Sequence, residues 1–155
     1  MFWAIAAAVL ATAALAWALF TAQRLNRLHI RTDSARLRLQ AALDQRSALI
    51  RALVPDLAEQ AEEAASIEVE GPGIRRRAAL EARLSRRLAA LGREPEGEPP
   101  AAIAEASARV ELAYRFYNEA VADTRALRTR PLIRLLRLGG RAPLPDYFHA
   151  PEVGA

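Results

Sequence analysis

Residues 2–22 of this 155-residue chain read FWAIAAAVLATAALAWALFTA, and Thr12 and Thr21 are the only polar residues among them. A helix of this length rises about 31 Å, which matches the hydrocarbon thickness of a bilayer. Trp3 lies at one end of the stretch and Trp17 near the other, as aromatic side chains do at the two membrane interfaces. The segment therefore predicts a single membrane-spanning anchor over residues 1–23.

A cleaved signal peptide is the alternative interpretation of this segment. Such a peptide has a basic region before a shorter apolar run, whereas here the apolar run starts at Phe2 and is longer. Arg24, Arg27 and Arg31 follow the run directly, and no basic side chain precedes it. The positive-inside bias therefore predicts an anchor in the cell membrane with the N-terminus outside and a cytoplasmic body.

The composition argues against an enzyme. Cysteine is absent, which excludes disulfides, thiol nucleophiles and cysteine-based zinc sites. Only His29 and His149 carry an imidazole, and neither lies in a cluster with the spacing of metal ligands or of a catalytic triad. We predict a non-enzymatic protein without a cofactor. The 22 arginines are interspersed with 18 acidic residues, so we do not expect a nucleic-acid partner despite the net charge of +4.

Apolar residues return at helical spacing after the span and predict a first soluble helix to about Glu70. Pro55 lies inside this pattern; it lacks an N–H and crowds the preceding turn, so it either kinks or breaks the helix near Val54. The apolar stripe consists of Leu25, Leu28, Ala35, Leu39, Leu43, Leu49, Leu53, Leu57, Ala61 and Ala64.

Two further long helices follow the sequence Gly71-Pro72-Gly73, which stops the first one. The apolar spacing predicts them over residues 74–91 and 101–128, and no alternating β-type run competes. The fold class is therefore all-α, with an N-terminal transmembrane helix followed by an antiparallel bundle of three to four long helices. We expect the bundle to cover residues 24–140 and an extended tail to cover residues 141–155.

Residues 132–138 predict a short amphipathic helix with arginines along one face, a pattern typical of membrane-surface helices. If the first helix continues to Glu70, three successive helices carry this piece far from the anchoring bilayer. We then expect it to cap the distal end of the bundle. A hairpin at Pro55 would remove that expectation.

Two parts of the chain resemble the LemA family. The first is Tyr117-Asn118-Glu119-Ala120-Val121, continuing through Arg130-Pro131, the apolar residues 132–138 and Tyr147-Phe148. The second consists of Leu28, Arg31, Asp33, Ala35, Leu43, Arg46, Leu49, Ile50, Leu53 and Val54. The resemblance identifies a short, divergent member and implies a membrane-anchored antiparallel helical bundle without known catalytic residues or cofactor.

Two sets of residues are candidates for binding a partner. The aromatic set either packs inside the bundle or docks a protein partner, since aromatic side chains with arginine are favoured interface anchors; it consists of Tyr114, Phe116, Tyr117, Asn118, Tyr147 and Phe148. The arginine set forms either a solvated face or a surface for an anionic ligand, a lipid headgroup or a nucleic acid; it consists of Arg75, Arg76, Arg77, Arg86 and Arg87. We expect a helical scaffold that binds a protein partner or a second copy of itself.

Overall fold

The structure, a computed structural model, describes residues 1–93, 99–135 and 143–149. Within these ranges all regular secondary structure is helical and no β-strand is present, which confirms the predicted fold class. The elements are α1 (Phe2–Leu53), a 3-10 turn (Pro55–Leu57), α2 (Ala58–Ala65), α3 (Gly73–Leu91), α4 (Ala101–Arg128) and α5 (Pro131–Leu135). The bounds of α3 and α4 agree with the predicted helices to within one residue.

Helix α1 is one uninterrupted helix of 52 residues that extends well beyond the bundle. Its most apolar window of 18 residues has a mean hydropathy of 2.0, and no part of that window is buried. Phe2 and Trp3 are each 89% exposed, and burial of one face begins only at Leu25. By length and composition, this half of α1 is long enough and apolar enough to cross a membrane, and it continues directly into the bundle.

Pro55 breaks the first helix instead of bending it. Helix α1 ends at Leu53, and after the 3-10 turn α2 runs back along α1, where Glu62 pairs with Arg51. Further along, the amide N–H of Val69 donates to Oε1 of Gln40 at 2.6 Å. The expectation of a single bent helix to Glu70 is therefore wrong, because the missing N–H of proline ends α1 and allows the chain to reverse.

A tight turn then reverses the chain again into α3. Gly71 adopts a positive φ of 49°, which disfavours residues with a Cβ. A Cβ on Gly73 would overlap the carbonyl oxygen of Glu68, so this position also requires glycine. Helix α3 consequently lies beside the distal half of α1, with Glu81 bonded to Arg46.

Helix α4 runs antiparallel to α1 over most of the bundle. Far from the span, Ile103 and Ile50 share one buried apolar cluster. Towards the span, the buried hydroxyls of Thr32 and Thr124 lie 2.9 Å apart and form a hydrogen bond. The C-terminal end of α4 therefore lies beside the part of α1 that follows the span.

Helix α5 lies at the same end of the bundle. Ile133 and Leu127 pack against Leu25, the first buried residue of α1 after the span. The prediction that this piece caps the distal end is wrong, because the hairpin at Pro55 adds a reversal of the chain, so that α4 runs towards the span instead of away from it. Residues 136–138 of the predicted amphipathic helix lie outside the described residues.

Candidate functional site

Residues 143–149, which we call the C-terminal strap, run along α4 without helical structure. Asn118 binds the strap with both ends of its amide: Nδ2 donates to the carbonyl of Phe148 at 2.8 Å, and Oδ1 accepts from the Phe148 N–H at 2.9 Å. The hydroxyl of the preceding residue, Tyr117, donates to the carbonyl of Asp146 at 2.8 Å. The Tyr-Asn pair thus fixes the backbone of the strap against α4.

The side chain of Phe148 fills the centre of the bundle. It is 1% exposed and belongs to the main apolar cluster, together with Leu39 and Leu43 of α1, Ile74 of α3 and Val121 of α4. The strap therefore closes a core to which three helices contribute. These contacts favour packing over partner binding for Tyr117, Asn118 and Phe148.

Charged side chains bind the exposed side of the strap. Asp146 accepts a hydrogen bond from Arg75 Nη2 at 2.9 Å, and its other oxygen lies 3.9 Å from Arg125 Nη1. The guanidinium of Arg125 lies 5.3 Å from the ring centroid of Tyr147 and donates to the carbonyl of Pro145. The hydrogen bond from Arg75 and the positive charge of that residue lower the pKa of the Asp146 carboxyl.

This lowered pKa predicts a pH-dependent stability. The charged form of Asp146 stabilises the fold above the ordinary aspartate pKa of about 3.9, and this contribution is lost as the pH falls through the lower pKa of the folded state. We expect Asp146→Asn to melt below the parent protein at neutral pH and to match it in strong acid. Thermal unfolding of both proteins against pH measures the difference. A difference that stays constant across the acid range would contradict this role of Asp146.

Among the remaining aromatic candidates, Phe116 is the one that lies away from the strap. Phe116 is 55% exposed and lines a groove of about 310 Å³ between α4 and α1, together with Leu112, which is 56% exposed. Tyr114 and Tyr147 are half-buried at the edge of the core. The structure therefore divides the aromatic set: the strap side is used for packing, whereas Phe116 remains accessible to a partner. The other residues that line this groove are Ala35, Arg38, Ala42, Arg109 and Ala113.

The arginine set is also divided. Arg76, Arg86 and Arg87 are exposed, and Arg75 pairs with Asp146. Arg77 is fully buried, so the prediction that it contributes to an exposed surface is wrong. Arg86 and Arg87 line a second groove, of about 440 Å³, between α3 and α2, where Glu63 is also present.

Arg77 belongs to a buried ionic network that the sequence analysis missed. Its Nε donates to Glu81 Oε1 at 2.8 Å, and Nη2 of Arg46 donates to the other oxygen of Glu81 at 2.6 Å. Arg77 also binds the carboxylate of Asp44 and the carbonyl of Ile67. These contacts join α1 to α3. Because Arg77 and Glu81 are almost completely buried, their charged groups are not accessible to a substrate.

Among the residues that the structure describes, no group of three or more histidine, aspartate or glutamate side chains is placed to hold a metal ion. Comparison of the chain with protein-family models, with curated proteins and with solved structures found no match in any of the three. The candidate surfaces that remain accessible are the groove beside Phe116 and the exposed arginines of α3.

Proposed function

We propose that this chain is a non-enzymatic, single-pass membrane protein of LemA-like type, whose helical bundle is a scaffold for protein partners at the cytoplasmic membrane. The observation that carries the proposal is the continuity of α1: no part of its most apolar window is buried, whereas its second half contributes Leu39, Leu43 and Ile50 to the bundle core. An apolar helix of this length is costly to expose to water, and a bilayer removes that cost. The bundle is then held at a fixed distance from the membrane.

The charge distribution supports a cytoplasmic body. Arg24, Arg27 and Arg31 follow the span in sequence. The antiparallel course of α4 places Arg128 and Arg130 at the same end of the bundle, near Leu25. Arginines that follow a span within about 15–20 residues favour the cytoplasmic side. Arg128 and Arg130 add positive charge that the anionic cytoplasmic leaflet attracts.

The groove beside Phe116 is the face that we assign to the partner. Leu112 and Phe116 provide apolar side chains, the three alanines allow close approach, and Arg38 provides positive charge, whereas Arg109 is paired with Glu105. This combination fits an amphipathic helix that carries acidic side chains on its flanks. Confinement to the membrane plane raises the effective concentration of such a partner.

The anchor is tested with the full chain in its own membranes. We expect the protein to resist extraction by alkaline carbonate, and we expect a variant with both Val9→Arg and Leu10→Arg to be extracted. Each arginine at the centre of a span costs about 2.5–3.5 kcal/mol of insertion free energy. A matched variant, Arg86→Gln with Arg87→Gln, changes two residues in the bundle and should behave as the parent protein does. Release of the parent protein by carbonate would contradict the anchor.

The partner face is tested by a photo-crosslinking amino acid at position 116 of the anchored chain, with Glu59 on α2 as the control position. We expect position 116 to give a discrete adduct, and we expect Arg38→Glu to weaken it because that substitution reverses the charge of the groove. Equal adducts at both positions, or an adduct indifferent to Arg38→Glu, would contradict the assignment. An adduct of twice the mass of the chain would identify a second copy in place of the acidic helix and would overturn the proposed partner.

The alternative function is binding of an anionic ligand, a lipid headgroup or a nucleic acid, through the exposed arginines of α3. The groove lined by Arg83, Arg86 and Arg87 favours it, whereas the carboxylate of Glu63 in the same groove opposes it. Binding that falls steeply with added salt and is lost in Arg86→Gln with Arg87→Gln would support this alternative.

A further inference from the structure

Two stretches of the chain without acidic residues meet at the end of the bundle next to the span. Residues 1–32 contain three arginines and residues 124–135 contain four, and neither stretch has an aspartate or glutamate. They are far apart in sequence, yet the antiparallel course of α4 brings them together where Leu127 and Ile133 pack against Leu25. This end of the bundle therefore has a strong positive bias that the net charge of +4 does not reveal.

A groove of about 340 Å³ lies at this junction. Trp17, Thr21 and Arg24 line it from α1, one helical turn after another. Arg130 lines it from the opposite side, and its apolar walls are Leu127, Pro131 and Ile133. The groove thus combines an apolar surface, a hydroxyl group and two guanidinium groups.

The two arginines of this groove differ from their neighbours in their ion pairs. Arg31 pairs with Glu119 and Asp123. Within the described ranges, no carboxylate lies within 4.0 Å of the guanidinium group of Arg24 or Arg130. The positive charges of Arg24 and Arg130 are therefore not neutralised by an ion pair with a carboxylate of the described residues.

The position of the groove along α1 matches the membrane interface. If α1 spans the bilayer, Trp17 lies at the level where interfacial aromatic side chains sit. Arg24 follows seven residues later, about 10 Å further along the helix axis, which reaches the level of the lipid phosphates. Trp17 is 42% exposed, so the lower part of the groove is open to the acyl chains.

We propose that this groove binds an anionic phospholipid of the bilayer that α1 spans. Arg24 and Arg130 bind the phosphate, and Thr21 donates a hydrogen bond to the headgroup. Trp17, Leu127 and Ile133 contact the upper part of the acyl chains. The inference rests on the proposed membrane anchor. The bound lipid would contact both α1 and the C-terminal end of α4, and it would thereby fix the orientation of the bundle relative to the membrane.

The test uses the intrinsic fluorescence of Trp17 in the full chain. Trp3 is the only other tryptophan, so Trp3→Phe leaves Trp17 as a single reporter inside the groove. The protein is reconstituted into phosphatidylcholine vesicles that contain roughly one-fifth phosphatidylglycerol. Two samples are compared: in one, phosphatidylglycerol has bromine atoms near the top of its acyl chains, and in the other, phosphatidylcholine has them. Bromine quenches the fluorescence of a tryptophan that it contacts. We expect brominated phosphatidylglycerol to quench the fluorescence of Trp17 much more strongly than its mole fraction in the vesicles predicts.

Two matched variants test the assignment to Arg24 and Arg130. Arg24→Gln with Arg130→Gln should lower the preference for phosphatidylglycerol by about 25-fold, since each arginine near an anionic surface contributes about a 5-fold factor. Arg51→Gln with Arg115→Gln removes the same charge from exposed positions away from the groove and should keep the preference. Equal loss in both variants would overturn the groove as the site.

The same experiment separates this inference from the membrane anchor. If both brominated lipids quench Trp17 in proportion to their amounts, the anchor stands and the lipid site is wrong. If neither lipid quenches Trp17, the helix has not inserted, and the proposed anchor fails together with the lipid site.

Discussion

Replacing Glu81 with alanine is expected to lower the free energy of unfolding of the full chain by about 3–5 kcal/mol. The two oxygens of Glu81 each accept a hydrogen bond from a different buried guanidinium group, that of Arg77 and that of Arg46. Without the carboxylate, the buried guanidinium group of Arg46 loses its acidic partner, and Arg77 keeps only the carboxylate of Asp44. Urea unfolding of the detergent-solubilised protein, followed by circular dichroism, measures the loss.

The matched control is Glu62→Ala. It also removes a carboxylate that pairs with an arginine of α1, Arg51, but both partners are largely exposed. Exposed ion pairs contribute about 1 kcal/mol or less because water and salt screen them. If Glu62→Ala and Glu81→Ala cost the same, the buried network would not have the enclosed character that the structure gives it.

Helical spacing in the sequence is sufficient to place Arg77 and Glu81 on the buried face of α3. They were not predicted to be buried because only apolar residues were used to define that face. The buried face of α3 runs through Ile74, Ala78, Leu84 and Leu88, and positions 77 and 81 continue the same three- and four-residue steps. A stripe chosen only for apolar residues includes Leu80, which is half-buried, and omits the two charged ones. A carboxylate four residues after an arginine on a buried stripe is the pattern that predicts such a pair.

The hairpin at Pro55 could not be predicted from the spacing of apolar residues. Leu53, Leu57 and Ala61 keep the spacing of a continuous helix across the proline, so the pattern fits both a kink and a break. The buried contact of Leu57 and Ala61 with Ile50 favours a break of the helix over a kink. This contact forms only after the chain has reversed, so the local sequence does not reveal it. The position of α5 depended on the same choice, which explains why the bounds of α3 and α4 were predicted to within one residue and the end occupied by α5 was not.

The strap shows the same limit in the aromatic set. The sequence indicates that Tyr117 and Asn118 either pack or bind a partner, and it predicts an extended tail. Nothing in the local pattern shows that Asn118 meets Phe148, thirty residues later in the chain. Long-range pairing of this kind depends on the shape of the core, in which α1, α3 and α4 leave a space for one aromatic ring.

Replacing Phe148 with alanine is expected to cost about 3–5 kcal/mol of unfolding free energy, as is typical for truncation of a buried phenylalanine. The ring is enclosed by α1, α3 and α4, so its removal leaves a cavity at the centre of the bundle and weakens the hold of the strap on α4. Urea unfolding under the conditions used for Glu81→Ala measures the cost.

The chain provides a matched control for this substitution in Phe116→Ala, which removes the same ring from a position that is 55% exposed. A surface change of this kind is expected to alter the unfolding free energy by about 0.5 kcal/mol or less. Phe116→Ala should instead weaken capture of a partner in the groove, while Phe148→Ala lowers stability. Equal destabilisation by both variants would contradict the division of the aromatic residues into a packing set around the strap and an accessible set beside α1.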